Sequence, residues 1–204
     1  MAPKYTLKYF NLRGLGEPLR FLFAYGGIEY EDVRFSFEEW PALKGSMPYG
    51  KAPVIETDGE VLHQTMAMGR YLARQLKLTG GDDWEAMLCD MAIDTVTDFR
   101  LQIVGYHYEK DESLKAQKKE VLFNETIPYY LEKFDADVKK NDGHFVRGKL
   151  TWADLVIVAI FEMLQDMLQV NFTEKYSNLK GIMDKVLALP QIKEWVEKRP
   201  KTNY

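Results

Sequence analysis

The chain has 204 residues, 46% hydrophobic and 28% charged, which is enough apolar material for a sizeable core and unlike disordered or fibrous compositions. A formal charge of -4 argues against a sequence-independent grip on nucleic acid, which needs clustered Lys and Arg. The single cysteine, Cys89, excludes an internal disulfide framework, a C-x-x-C redox pair and a thiolate-rich zinc site, and it fits a reducing compartment. No apolar run reaches the roughly 18 residues of a spanning helix, and Met1-Ala2-Pro3-Lys4-Tyr5-Thr6 lacks a leader's hydrophobic stretch, so a cytoplasmic protein without a membrane partner is expected.

Lys4 to Tyr9 alternates Tyr5, Leu7 and Tyr9 with Lys4, Thr6 and Lys8, which predicts a strand. After the turn Asn11-Leu12-Arg13-Gly14, the segment Glu17 to Gly27 has proline where a first helical turn tolerates its missing N–H. Paired glycines stand where a helix ends, so a helix is expected there. Glu31, Val33 and Phe35 alternate with Tyr30, Asp32 and Arg34 in a second strand. Pro53 to Glu56, the turn Thr57-Asp58-Gly59 and Glu60 to His63 read as a hairpin, with Asp-Gly supplying the positive-φ residues. A helix from about Thr65 to Leu76 follows. The order is β-α-β then β-β-α, or β-α-β-β-β-α if a short middle element is counted.

Leu78 to Glu85 combines paired glycines with helix-capping aspartates, and no convincing strand lies beyond it. A domain boundary is placed there, giving residues 1–79 and 80–204. Leu88, Met91, Ala92, Val96, Phe99 and Ile103 recur at helical steps, as do Val121, Leu122, Tyr129, Tyr130, Leu131 and Phe134, with Pro128 expected to kink or interrupt the second run. Leu155 to Phe161 is apolar all round, which fits a buried helix or a buried strand. Thr151 and Asp154 ahead of it form a capping-box pattern with Leu150 placed to staple, which favours the helix.

Four places carry chemistry. Ala52-Pro53 lies in a tight loop before a strand, where either an ordinary trans proline or a cis peptide is expected. In the cis case the Ala52 backbone can pair with a peptide ligand as one rung of sheet. Gln64 and Thr65 open a helix, so they either form an anion site of free amides, hydroxyl and helix dipole, or Thr65 is a plain N-cap. Trp40 and Lys44, four apart, offer an indole N–H and an ammonium for a second carboxylate, or else a packed ring and a solvated charge.

Tyr9 closes the first strand, either as a core aromatic with its hydroxyl at the rim or as a phenol aimed at a bound sulfur. Lowering a thiol from about 8.5 to near 6 requires roughly 3–4 kcal/mol. A hydrogen bond to a charged group supplies about 1.5–3 of that, so other donors must assist.

Taken together, five motifs in order resemble a cytosolic glutathione transferase over essentially the whole chain. They are Tyr9-Phe10-Asn11 with Arg13-Gly14 and Glu17-Pro18, Trp40-Pro41 with Lys44, Met47 to Pro53, His63-Gln64-Thr65, and Leu150 to Asp154. Within the family the chain most resembles the sigma class of insects and other invertebrates, related to the haematopoietic prostaglandin D synthase of vertebrates. The resemblance implies an α/β thioredoxin-like N-terminal domain, an all-α C-terminal helical bundle domain, a homodimer and glutathione as co-substrate with no metal required.

It also implies that Tyr9 stabilises the glutathione thiolate and that Trp40 and Lys44 hold the glycyl carboxylate. The Ala52 backbone beside a cis Pro53 would take the cysteinyl main chain, Gln64 and Thr65 the γ-glutamyl carboxylate, and Gly50 and Lys51 would line the groove. Asp98 would reach the ligand of the partner subunit. Apolar electrophiles, including lipid-derived aldehydes and hydroperoxides, would bind near Phe10, Leu15, Arg100, Val104 and Tyr204.

This chain has Leu15, Thr97 and Gly105 where the vertebrate prostaglandin enzyme has arginine, aspartate and tryptophan, which counts against prostaglandin isomerisation and metal activation. Asp90, Asp94 and Asp98 form an i, i+4 stripe, read as a solvated or partner-facing surface. A noncatalytic, crystallin-like binding protein on the same fold is the alternative from another class.

Overall fold

A computed structural model describes residues 5–202 and 204, so Lys4, the expected first residue of the opening strand, lies outside the described residues. β1 (Tyr5–Phe10) shows the predicted alternation, burying Tyr5, Leu7 and Tyr9 while Thr6, Lys8 and Phe10 are half-buried. It pairs in parallel with β2 (Tyr30–Phe35) and antiparallel with β3 (Val54–Thr57), and β3 pairs antiparallel with β4 (Glu60–His63), giving the order β2-β1-β3-β4. The Asp58-Gly59 turn has φ of 49° and 82°, the mirror-image turn whose twist matches that of its strands.

The parallel crossover is α1 (Glu17–Tyr25), which opens on Pro18 and stops at Gly26; Gly27 follows at φ 59°, open to glycine without steric cost. Because α1 packs between the sheet and the second half of the chain, all seven residues from Glu17 to Phe23 are buried, charged ones included. The short α2 (Trp40–Leu43) and two 3-10 turns connect β2 to β3, and α3 (Thr65–Gln75) closes the β-α-β, β-β-α unit.

Helices make up the remainder: α4 (Asp83–His107), α5 (Glu112–Val121), α6 (Ile127–Lys140), α7 (Trp152–Leu168), α8 (Ser177–Leu187) and α9 (Pro190–Lys198). The interruption expected at Pro128 is a π turn over Leu122–Thr126, in which the Ile127 N–H reaches back to the Leu122 carbonyl. The wider turn places Pro128 at the start of α6, where its missing donor costs little.

α7 is the helix that its capping pattern favoured over a strand. Twelve of its residues are buried, and each large apolar side chain so placed contributes about 1.5–3 kcal/mol relative to exposure. Its capping box is present: the buried Asp154 accepts the Thr151 N–H at 2.7 Å and the Phe145 N–H at 2.9 Å. The Trp152 N–H donates to the Leu78 carbonyl at 3.0 Å, and the Arg70 guanidinium lies 5.6 Å from the centre of the Trp152 ring. The two halves are therefore joined through the buried start of α7. Among the described residues no helix is long and apolar enough to cross a membrane.

Candidate active site

Alternation along β1 brings Tyr9 to the buried face at the strand's end, 8% exposed, with its hydroxyl beside the turn that follows. There the Leu15 N–H donates to the phenolic oxygen at 3.1 Å. The turn wraps the ring closely, since a Cβ added at Gly16 would lie 2.7 Å from Tyr9 Cδ1. Burial raises the phenol's pKa above its ordinary value, against which the Leu15 N–H, Arg100 and Arg20 pull it down. Such a phenol keeps its proton through neutral pH and offers it as a hydrogen-bond donor.

Leu15 and Arg100 also line a cavity of about 490 Å³ with Pro48, Tyr49, Lys51, Ala52, Pro53, His63, Gln64 and Thr65. The Ala52-Pro53 peptide is cis, and Ala52 lies just outside the ladder, whose register starts at Val54. Gln64 precedes α3 at φ 69°, ψ 100° and occupies the N-cap position, making no side-chain cap bond. The plain-cap alternative for Thr65 is thus corrected: Thr65 is the first helical residue, and it is buried. Lys51, His63 and Arg100 give this cavity cationic or donor groups, which suits an anionic peptide-like ligand. A larger cavity of about 910 Å³ between α1, β2 and α9 has four carboxylates, from Glu29, Glu31, Asp32 and Glu194, and Tyr9 is not part of its lining.

Trp40 stacks on Phe35 with centroids 5.5 Å apart and planes 9° apart, and also meets Phe10 at 5.1 Å. Lys44 ends the same short helix; a Cβ on Gly50 would lie 3.1 Å from Lys44 Cε, so the stem folds against that loop. Trp40, Lys44 and Gly50 therefore gather at one end of the loop that leads to Ala52, outside the cavity lining itself.

Of the acceptor residues, Leu15 and Arg100 share the cavity, whereas Phe10, Val104 and Tyr204 lie outside its lining. Phe10 is held among Phe35, Phe37 and Trp40. Arg100 is half-buried on α4, its Nε has no hydrogen-bond partner among the described residues, and desolvation lowers its pKa while the neighbouring Tyr9 opposes that shift. Tyr204 returns to this region: its carbonyl accepts the Arg13 N–H at 2.8 Å, and its ring meets His107 edge-on at 5.4 Å. Tyr108 hydrogen-bonds Tyr204, and burial with that partner raises its pKa to about 12.

Asp98 is exposed on α4, as is Asp94, while Asp90 is bonded to Arg70 at 2.8 Å. Sequence reasoning missed His63 and Tyr49 in the groove and Tyr108 beside Tyr204. It also missed the buried Glu17–Arg20 pair, whose signal was available: two charges inside an otherwise apolar helix.

The glutathione S-transferase N-terminal domain model matches residues 5–74, and the glutathione S-transferase C-terminal domain model matches residues 97–199. The chain belongs to the glutathione S-transferase family. It is 49% identical over 198 residues to glutathione S-transferase S1 of Drosophila melanogaster, covering 97% of this chain and 80% of that one. It is also 39% identical to the hematopoietic prostaglandin D synthase of Gallus gallus, with 98% of each chain covered. The solved prostaglandin synthase D of Nilaparvata lugens superposes with a TM-score of 0.94 at 41% identity, covering 98% of this chain and 100% of that one. This glutathione S-transferase therefore has the expected α/β thioredoxin-like N-terminal unit and helical C-terminal unit.

Proposed function

We propose that this chain, a sigma-class glutathione transferase, joins the glutathione thiolate to apolar electrophiles, with Tyr9 donating its hydroxyl hydrogen to the sulfur. One observation carries this reading: a buried, proton-retaining phenol bonded to the Leu15 amide at the edge of a cavity that also holds Ala52, Gln64, Thr65 and Arg100. The thiol loses its proton to solvent, the sulfur forms a bond to the electrophilic carbon, and the electron pair displaced at the acceptor leaves or is protonated. Holding both partners in one cavity makes the step effectively unimolecular.

In this reading the Ala52 backbone beside cis Pro53 pairs with the cysteinyl main chain, and Gln64 and Thr65 bind the γ-glutamyl carboxylate. Trp40 and Lys44 take the glycyl carboxylate, with Gly50 and Lys51 along the groove. Arg100, half-buried with an unpartnered Nε, polarises an acceptor oxygen such as that of an unsaturated aldehyde or hydroperoxide, in a pocket completed by Phe10, Leu15, Val104 and Tyr204. The functional units are residues 1–79 and 80–204, and the enzyme works in the cytoplasm.

A homodimer in which Asp98 reaches the glutamyl amine of the partner subunit's ligand is supported by exposed apolar side chains before β3 and on β4, α3 and α4. Tyr49 is 84% exposed, and Val61, Tyr71, Trp84, Met87 and Met91 are exposed as well. Isomerisation of a prostaglandin endoperoxide is the second reading, favoured by the names of the Gallus gallus and Nilaparvata lugens proteins.

The test is Tyr9→Phe, followed by thiolate absorbance of bound glutathione and by turnover of a halonitrobenzene, an unsaturated aldehyde, a lipid hydroperoxide and a prostaglandin endoperoxide, with and without Mg2+. The expected result is a raised thiol pKa and slower conjugation. Unchanged turnover and thiol pKa would overturn the mechanism, and tight glutathione binding by the unaltered chain with no conjugation of any acceptor would mark a noncatalytic protein.

A further inference from the structure

The turn from Leu12 to Gly16 delivers the Leu15 amide to the catalytic phenol, and a buried guanidinium holds that turn from behind. Arg20 on α1 has no exposed surface. Its Nη1 donates to the Leu12 carbonyl at 2.9 Å and to the Arg13 carbonyl at 3.4 Å, and lies 3.2 Å from Glu17 Oε2. Its Nε donates to both Asp32 oxygens at 3.2 Å, which ties it to β2. Only a backbone separates this group from the phenol: a Cβ on Gly16 would stand 2.7 Å from Tyr9 Cδ1 and 3.1 Å from Arg20 Nη1.

We propose that Arg20 is a positioning residue for thiolate formation, holding the Leu12 and Arg13 carbonyls so that the Leu15 N–H stays bonded to the Tyr9 oxygen. The inference rests on the reading that Tyr9 serves the sulfur. An amide donating into the phenolic oxygen makes the O–H a stronger donor in turn, because linked hydrogen bonds polarise one another. That bond is already 3.1 Å long, near the upper end of useful N–H···O distances, so a shift of a few tenths of an ångström in the turn weakens it. A planar fork reaching two carbonyls and two carboxylates is a task that a lysine's point charge does not reproduce.

The groups facing this assembly come from every element around it. Arg100 and Tyr108 face Tyr9 from α4 and its end, while Glu17 on its own helix and Asp32, Arg34 and Tyr30 on β2 surround Arg20. Beyond them, Glu17 Oε1 accepts from Trp195 on α9 and from Arg199, each at 2.8 Å, so the C-terminal helix braces the same network.

The experiment compares Arg20→Lys, Tyr9→Phe and the double variant by thiolate absorbance of bound glutathione against pH, alongside kcat and the KM for glutathione. Arg20→Lys is expected to raise the bound thiol pKa by about one unit, leaving about tenfold less thiolate below it, with kcat recovering at alkaline pH. The KM for glutathione stays within about twofold, since Arg20 touches no residue assigned to its carboxylates. In the double variant the thiol pKa equals that of Tyr9→Phe alone, because the two residues act as one unit.

An unchanged thiol pKa in folded Arg20→Lys, or additive shifts in the double variant, overturns the proposal while leaving the Tyr9 reading intact. A Tyr9→Phe enzyme with an unaltered thiol pKa removes both. If Arg20→Lys does not fold, Asp32→Asn loosens the Nε anchor, and Arg34→Gln, which removes the other partner of Asp32, is its control: a thiol pKa raised by Asp32→Asn beyond any change in Arg34→Gln supports the coupling, and any other result rejects it.

Discussion

Trp195 donates its indole N–H to Glu17 at 2.8 Å, joining the last helix to the first across 178 positions of sequence. Glu17 is fully buried, and its oxygens are shared among Trp195, Arg199 and Arg20. Removing a donor to a buried carboxylate costs about 1.5–3 kcal/mol. Trp195→Phe is therefore expected to lower unfolding free energy by about 1–2 kcal/mol, at the low end because Arg199 still satisfies the same oxygen. Urea unfolding measures it, and a change below a few tenths of a kcal/mol would contradict this bracing role.

Asp154→Ala should be the more damaging cap variant. Its carboxylate accepts the Thr151 and Phe145 amides and the Thr151 hydroxyl, all buried, so truncation leaves two amides without partners. A loss of about 3 kcal/mol or more is expected, against about 1 kcal/mol for Thr151→Ala. Denaturation midpoints of the two variants side by side decide the ranking.

Alkaline pH should weaken the fold through Cys89. Burial raises this thiol from 9.0 to about 11, with a smaller opposing contribution from the Thr151 hydrogen bond. Its folded pKa exceeds its unfolded one, so the stabilisation is fully present below the unfolded value and is lost as pH rises from about 9 toward 11. Over that window the slope attributable to one proton approaches about 1.4 kcal/mol per pH unit. Cys89→Ala should flatten the alkaline limb of urea stability measured between those pH values; an unchanged limb would mean that the raised tyrosines govern it instead.

Gly16→Ala tests the contact between the turn and the phenol. The new methyl would meet the Tyr9 ring at 2.7 Å, too close to accommodate without moving the ring or the turn. Conjugation is expected to fall about tenfold, the cost of roughly 1.4 kcal/mol in transition-state stabilisation, while glutathione KM changes little. Wild-type kcat in this variant would show that the ring tolerates displacement.

Much of the frame was legible because it depends on neighbours a few residues apart. The alternation of Tyr5, Leu7 and Tyr9, the Asp58-Gly59 turn, the Pro18 start and Gly26-Gly27 stop of α1, and the Thr151–Asp154 box each express a local backbone requirement. The candidate site was legible for a related reason, since Ala52-Pro53, Gln64-Thr65 and Tyr9 lie at strand and helix ends, where backbone groups have no partners within their own element.

By itself the amino-acid order determined the four strands, α1, α3, the helical runs of α4 and α6, the capped α7 and the residue types gathered at their ends, whereas α5, α8 and α9 were not read from it. Tertiary packing alone decided that Arg20 and Glu17 are buried together, that Asp32 from β2 and Trp195 and Arg199 from beyond α8 satisfy them, and that Tyr204 lies against Tyr108 and His107. It likewise settled that Gln64 rather than Thr65 occupies the cap, at a left-handed φ. The reason is physical: a charge inside an apolar helix needs counter-charges, but which distant segments supply them depends on how helices and sheet pack, and no local periodicity encodes that.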